Sequence, residues 1–218
     1  DPQAGSLNLG MIGNCAISAL IDNHARMVWC CLPRFDGDPV FNALLQPGDE
    51  GSHFAIELED LASAHQWYEP NTAILRTQLF DKAGHGVEIT DFAPRFYSRS
   101  RYFRPMTLVR RVRPIQGAPR IRVALKVRYD WGQTTPEITR GSNHIRYVGE
   151  GMTLRLSTDA PVSHVLSAQG LTEAAARSSV RFSLGPGVSM ADIDRVVSVT
   201  TGAVSRLRRA AGMVGVLR

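Results

Sequence analysis

Lysine is almost missing from this chain: of its 25 basic residues, 23 are arginine and only Lys82 and Lys126 are lysine. The formal charge of +5 over 218 residues therefore reflects an arginine usage that a GC-rich coding sequence gives as readily as phosphate recognition does, so it argues weakly for an anionic partner. Cysteine is equally scarce, and three residues cannot build a disulfide framework. Long apolar runs are absent too. Residues 2 to 21 carry no charge, but Ser6, Asn8, Asn14, Ser18 and three glycines interrupt them and no basic segment precedes them. Neither a secretory leader nor a membrane span has that form, and a cytoplasmic location is the expectation. The chain starts at Asp1 rather than Met, which is expected of a cut, processed or truncated form. No Gly-x-Ser-x-Gly elbow, Walker loop or dinucleotide fingerprint occurs. His24, His53, His65, His85, His144 and His164 never pair at i, i+2 or i, i+4, nor stand beside a cysteine at ligand spacing, so neither a metal nor a cofactor is expected.

What is there is period two. Ile121, Val123, Leu125 and Val127 form one apolar face while Arg120, Arg122, Lys126 and Arg128 form the other, as in a half-buried strand. Similar runs are Cys15 to Ile21, Met27 to Leu32, His53 to Leu58, Thr72 to Phe80, Val87 to Phe92, Met106 to Val112, His144 to Val148, Met152 to Ser157 and Ser179 to Leu184. Turn signals such as Asp22-Asn23, Gly84-His85-Gly86, Gly117-Ala118-Pro119 and Gly149-Glu150-Gly151 separate them at hairpin spacing. No long helical period precedes residue 190, which excludes βαβ units. The expected fold class is all-β: a large antiparallel two-sheet sandwich over residues 1–188, with a short helical linker or tail over 189–218. In that tail Ile193, Val196, Val197, Val204, Leu207 and Ala211 share a helical face, with acids in the first turn and arginines in the last.

Between Arg95 and Arg128 stand eleven basic residues and no acidic one. This reads either as a polyanion-binding face or as a solvated sheet face paired with acids on a neighbouring domain; the latter is favoured because Phe96, Tyr97, Tyr102 and Phe103 fall in one loop instead of interleaving with the strand arginines. The segment Cys31 to Leu45 holds more polar and aromatic groups than a hairpin needs. After Pro33 a compact turn is expected to present Arg34, Phe35 and Asp36, followed by a short apolar turn of helix over Val40 to Leu45. Arg34 and Asp36 are candidate ligands for sugar hydroxyls, with Phe35 packing on a sugar face; the alternative is a structural Arg34–Asp36 bridge.

At this loop the sequence resembles the start of bacterial glucoamylase- and trehalase-like enzymes of glycoside hydrolase family 15. The matching stretches are Ile12-Gly13-Asn14-Cys15 with Ala19 to Asp22, Trp29 to Asp36 with Val40 to Leu45, Tyr68 with Asn71 to Leu75, Thr90 to Arg95, Leu108 to Val112 and Arg128 to Gly132. The resemblance implies a trehalase-like N-terminal β-sandwich that precedes an α/α toroid. It places the catalytic glutamates of an inverting hydrolase in that toroid, so no catalytic residue is expected here. Thr200, Thr201, Ala203, Val204 and Leu207 stand where the family's linker helix carries tryptophans, and Gly212 to Arg218 matches nothing in it. The implied partners are the toroid and an α-glucoside, with self-association expected from the surface the toroid would cover and no membrane or nucleic acid involved. Two other classes stay open: a free-standing carbohydrate-binding module using Trp67, Tyr68 and Trp131, and a polyanion binder using residues 95–128.

Overall fold

The computed structural model describes residues 8–46 and 51–159, and residues 179–184 by their backbone. The helical tail expected over 189–218 lies outside them. Sixteen strands occur among the described residues, in an all-β sandwich whose strand pairs are all antiparallel. The first sheet runs in the order β1 (Leu9–Gly13), β2 (Ser18–Asp22), β3 (Arg26–Cys31), β5 (His53–Leu58) and β12 (Ile121–Lys126), with β4 (Pro39–Phe41) paired to β3. The second runs β13 (Glu137–Arg140), β14 (His144–Val148), β15 (Thr153–Thr158), β16 (Ser179–Leu184), β11 (Thr107–Gln116), β8 (Gly86–Phe92), β7 (Leu75–Asp81) and β6 (Leu61–Tyr68). A separate hairpin pairs β9 (Phe96–Ser98) with β10 (Arg101–Phe103).

Alternation decides what is buried. Ile12, Ile21, Met27, Phe54 and Ile56 from the first sheet meet Leu75, Leu79, Val87, Ile89, Leu108 and Leu156 from the second in one core. Across it runs a polar tie. Arg110 and Asp91, directly opposed on β11 and β8, form a bidentate pair with contacts of 2.8 and 2.9 Å, and both are fully buried. The remaining Arg110 Nη1 donates to the Phe54 carbonyl of the other sheet at 2.9 Å, and its guanidinium lies 4.7 Å from the Phe54 ring centroid.

Two expectations are corrected. Val40 and Phe41 lie in β4, not in a helical turn, because Phe41 pairs with Cys30 and extends the sheet. A single turn does follow, closed by Leu45 and Gln46 N–H groups donating to the Asn42 carbonyl. Phe96, Tyr97, Tyr102 and Phe103 occupy a regular two-stranded hairpin instead of a loop. Its turn residues, Arg99 and Ser100, have φ of 49° and 61°, the double left-handed geometry of a type I′ turn without the usual Asn-Gly.

Burial of His53 gives stability a pH dependence. Desolvation first, then the like charge of Arg26, lowers its pKa below the usual 6.5, against the opposing hydrogen bond to the Gly51 carbonyl. The unfolded chain then binds a proton more readily than the folded one. The contribution of neutral His53 is complete above the unfolded pKa and is lost as pH falls through the folded one. Melting temperature by circular dichroism should fall as pH drops below about 6.5, and His53→Gln should fall less; parallel profiles would remove His53 as the cause.

Candidate functional site

The loop after β3 is built as a clasp. The Leu32 N–H donates to the Asp38 carbonyl at 3.3 Å and Gly37 N–H donates to the Arg34 carbonyl at 3.1 Å, which turns residues 33–38 outward. Arg34 Nε and Nη2 donate to the two Asp36 carboxylate oxygens, each at 2.9 Å. The Arg34 hydrogen bonds hold the Asp36 carboxyl below the usual carboxylate range and raise the Arg34 pKa in turn. Asp36 is therefore an acceptor at neutral pH and has the wrong shift for a general acid. Phe35, 63% exposed, does not anchor the turn; it stands in solvent.

A second loop flanks the same strand. Arg128 N–H donates to the Val40 carbonyl of β4 at 3.4 Å, and a bridge between Tyr129 and Thr134 closes the turn Asp130–Gly132. Asp130, Trp131 and Gly132 have φ of 51°, 53° and 93°, three left-handed residues in succession. Such backbone costs of order 1–3 kcal/mol at each non-glycine position and survives only where surrounding contacts impose it. Asn42 supplies them. Its Nδ2 donates to the Trp131 carbonyl at 3.4 Å and to Gln46 Oε1 at 2.9 Å, while its Oδ1 accepts from the Ser52 N–H and hydroxyl. A Cβ at residue 132 would collide with Asn42 Nδ2, so glycine is required there.

The outcome is an exposed Trp131 indole with its ring centroid 6.3 Å from that of half-buried Trp29, tilted by 56°. Trp29 hydrogen-bonds the Cys31 thiol, and Asp38 and Asp36 lie near enough to Cys31 to add to the burial that raises its pKa. Trp29 and Cys31 thus lie on one side of β3, away from the core that holds Cys30. Trp67 and Tyr68 do not join them. As neighbours on β6 they face opposite sides of the sheet, and the Tyr68 hydroxyl is tied to the Met11 backbone at 2.6 and 2.9 Å.

The second exposed feature is the β9–β10 arm. Phe96 stacks on Phe103 on one face, with centroids 5.4 Å apart, and Tyr97 meets Tyr102 on the other at 5.0 Å. Arg95 lies 5.3 Å from the Tyr102 centroid, and Arg99, Arg101 and Arg104 complete an arm with no acid. One side chain clamps its root: Asn14 Nδ2 donates to the Pro94 carbonyl at 3.0 Å and to the Pro105 carbonyl at 2.8 Å. Asn14 is buried, a polar residue inside an uncharged stretch, and that was its sequence signal.

Four of the other arginines of the 95–128 segment have acidic partners within the sandwich itself. Arg110 holds Asp91, Arg113 holds Glu88, Arg122 holds Glu57 and Arg120 approaches Glu59 at 3.9 Å. The two buried carboxylates among the described residues are similarly committed, Asp91 to Arg110 and Glu88 to Arg76, Gln78 and Arg113.

Residues 4–201 match the family described as "Trehalase-like, N-terminal". The chain belongs to the trehalase-like N-terminal family. It is 24% identical over 156 residues to a trehalase of Thermoplasma volcanium, covering 70% of this chain and 24% of that protein. Over 92 residues it is 40% identical to trehalase 1 of Sulfolobus acidocaldarius, 41% of this chain and 15% of the other. The matched part thus spans a quarter or less of either trehalase. A stretch of 52 residues, 24% of this chain, is 52% identical to the IscS-like cysteine desulfurase of Mycobacterium tuberculosis but covers only 13% of it, too little to carry its chemistry. No solved structure gives a significant match. Among the described residues no helix is long and apolar enough to cross a membrane.

The stretches that resemble the family interlock in this trehalase-like domain. Asn14 of the first bonds Pro94 of the Thr90 to Arg95 stretch, Asp91 pairs with Arg110, and Asn42 holds Trp131. Most of the resemblance therefore marks contacts that assemble the sandwich and fix its two exposed features.

Proposed function

We propose that this domain is the non-catalytic N-terminal accessory part of a trehalase- or glucoamylase-like glycoside hydrolase. Its sandwich braces an α/α toroid through the β9–β10 arm, and its 33–38 loop lines the active-site rim with Arg34, Phe35 and Asp36. The observation that carries this reading is the family match, which is to an N-terminal region; the 156-residue match covers 24% of the Thermoplasma trehalase. The carboxylate chemistry agrees with it. An inverting glycosidase needs a protonated carboxyl and a second carboxylate about 6.5–9.5 Å away. Among the described residues the two carboxyls with shifted pKa both move down: Asp36 under Arg34, and Asp81 because hydrogen bonds from His85 and Ala83 outweigh its desolvation.

The chain alone should release no glucose from trehalose, maltose or a malto-oligosaccharide, measured by coupled glucose oxidation after repurification. Turnover that vanishes in Asp36→Asn would overturn the reading and make Asp36 a catalyst. In a longer relative with the same loop, Asp36→Ala is expected to lower kcat/KM about tenfold with little change in melting temperature, since water screens an ion pair this exposed and it adds little to stability. Loss of melting temperature with unchanged kinetics would reduce the Arg34–Asp36 pair to a structural bridge.

A further inference from the structure

An open sheet ends in two strands whose outer N–H and C=O groups have no ladder partner, and folded chains protect such edges. Three of the four ends here are protected. Along β12, Arg120, Arg122, Lys126 and Arg128 put cations on the edge. β13 is four residues long, follows Pro136 and carries Glu137 and Arg140. On β1 the outward groups at the centre are occupied: Met11 N–H donates to the Tyr68 hydroxyl at 2.6 Å, and the same hydroxyl donates to the Met11 carbonyl at 2.9 Å. β6 has none of these devices. It ends the larger sheet, runs for eight residues and contains no lysine, arginine, aspartate, glutamate or proline. The phase of its pairing decides which backbone groups are open. Glu69 N–H donates to the Ile74 carbonyl at 2.9 Å, one step past the Tyr68–Leu75 pair. Tyr68 therefore stands in a non-hydrogen-bonded pair, and so, by alternation, do Gln66 and Ala64. Ser63, His65 and Trp67 turn their backbone to β7, while Ala64, Gln66 and Tyr68 turn theirs outward, where no described residue bonds them. The strand cannot slip or roll to hide them. Ala64 packs on the core, Gln66 Nε2 donates to the Asp22 carbonyl at 2.8 Å, and Tyr68 holds Met11.

We infer that the β6 edge is a docking site for an extended segment of a partner protein, which adds to the sheet as a further strand through the main-chain groups of Ala64, Gln66 and Tyr68. A regular row of outward donors and acceptors is matched by another extended backbone. Charge narrows the occupant. Glu59 and Asp60 precede β6 and Glu69 follows it, so two copies of this chain paired antiparallel would set acids against acids at both ends. A segment with an uncharged centre and a basic residue at each end meets the opposite arrangement. On the outer face His65 and Trp67, with ring centroids 5.2 Å apart, offer a surface to one set of its alternate side chains. This site goes beyond the accessory role proposed above and needs neither a toroid nor a sugar.

The whole chain is titrated with a capped heptapeptide of alternating threonine and valine between terminal lysines, and backbone amide exchange is followed by NMR. In the free chain the Ala64, Gln66 and Tyr68 amides should exchange at least about tenfold faster than those of Ser63, His65 and Trp67, and the peptide should slow them saturably by a similar factor. The same peptide N-methylated along its pairing edge should leave them fast. A version ending in glutamates should bind about fivefold more weakly or worse. Ala64→Pro removes one outward N–H and leaves the β7 ladder intact, as an edge strand permits. It should keep its β circular dichroism signal and lose the peptide, whereas His65→Pro, which deletes a ladder donor, should melt far lower. His65→Lys is the second variant: at an exposed position it adds a cation to the edge and should weaken the lysine-ended peptide. If Ala64→Pro does not fold, unchanged binding by His65→Lys overturns the site. So do slow exchange of the three amides in the free chain, no slowing by the peptide, or equal slowing by its N-methylated form. Equal binding of the glutamate-ended peptide overturns the basic-ended occupant, and slowing that grows with chain concentration alone replaces it with a second copy.

Discussion

Asp91→Ala is expected to destabilise the domain by about 3–5 kcal/mol, the cost of leaving a buried guanidinium without its counter-ion. For a domain of this size each kcal/mol moves the midpoint by about 2–4 °C, so melting temperature should drop by on the order of 10 °C. Arg110 cannot escape to water, because its side chain lies fully buried between the sheets, with one nitrogen on the Phe54 carbonyl and its plane over the Phe54 ring. The pair is costly to break but contributes little net stability over apolar packing, since both charges lost hydration on burial. The double variant Asp91→Leu/Arg110→Met should therefore recover most of the loss, less about 1–3 kcal/mol for the Phe54 carbonyl left without this donor. Circular dichroism melts of the two variants decide the matter. If the double variant melts as low as the single one, desolvation is not what sets the effect.

That pair also shows how far the sequence could be read. Alternation located the core strands, because period two is imposed by the pleat and a buried face admits only apolar residues at every second position. Alternation says nothing about Arg110, which falls on the inward face of β11 between Leu108 and Val112. An arginine in that register either breaks the strand or has a buried partner, and only the cross-strand register reveals Asp91. Three of the strands not anticipated share one property. β6 carries His65, Gln66 and Trp67 on a partly exposed edge, β13 is exposed throughout, and β1 hides in an uncharged, glycine-broken stretch, so none shows a clean contrast between faces. The β9–β10 hairpin escaped for a different reason, since its Arg99-Ser100 turn lacks the residues that usually permit positive φ. Of the candidate site, Arg34, Phe35 and Asp36 were legible because three chemistries stand in consecutive positions. Trp131 was visible only as an aromatic. Its presentation depends on Asn42, 89 residues away in sequence, a relation that no local pattern encodes.

The arm makes the remaining strong prediction, because its surface is both apolar and charged with one sign. Four rings, each about half exposed, amount to roughly 400 Å² divided between the two faces of the arm, apolar surface of the kind that marks a contact site. With no toroid against it, that surface should draw two copies of the chain together, and sedimentation velocity should show association growing with concentration. Salt separates this from docking. In a self-contact the four arginines of one arm face those of another, so raising ionic strength screens repulsion and strengthens association. Against a partner that presents carboxylates around an apolar seat, the same salt screens attraction and weakens it. Replacing Phe96, Tyr97, Tyr102 and Phe103 together with serine should leave the chain monomeric at every salt concentration. The melting temperature should be nearly unchanged, since the root of the arm stays fixed by Asn14 on Pro94 and Pro105 and none of the four rings belongs to the core. A wild-type chain that stays monomeric at high salt and high concentration would mean that stacking within the arm already satisfies its rings. The proposal that the arm is a brace would then fail.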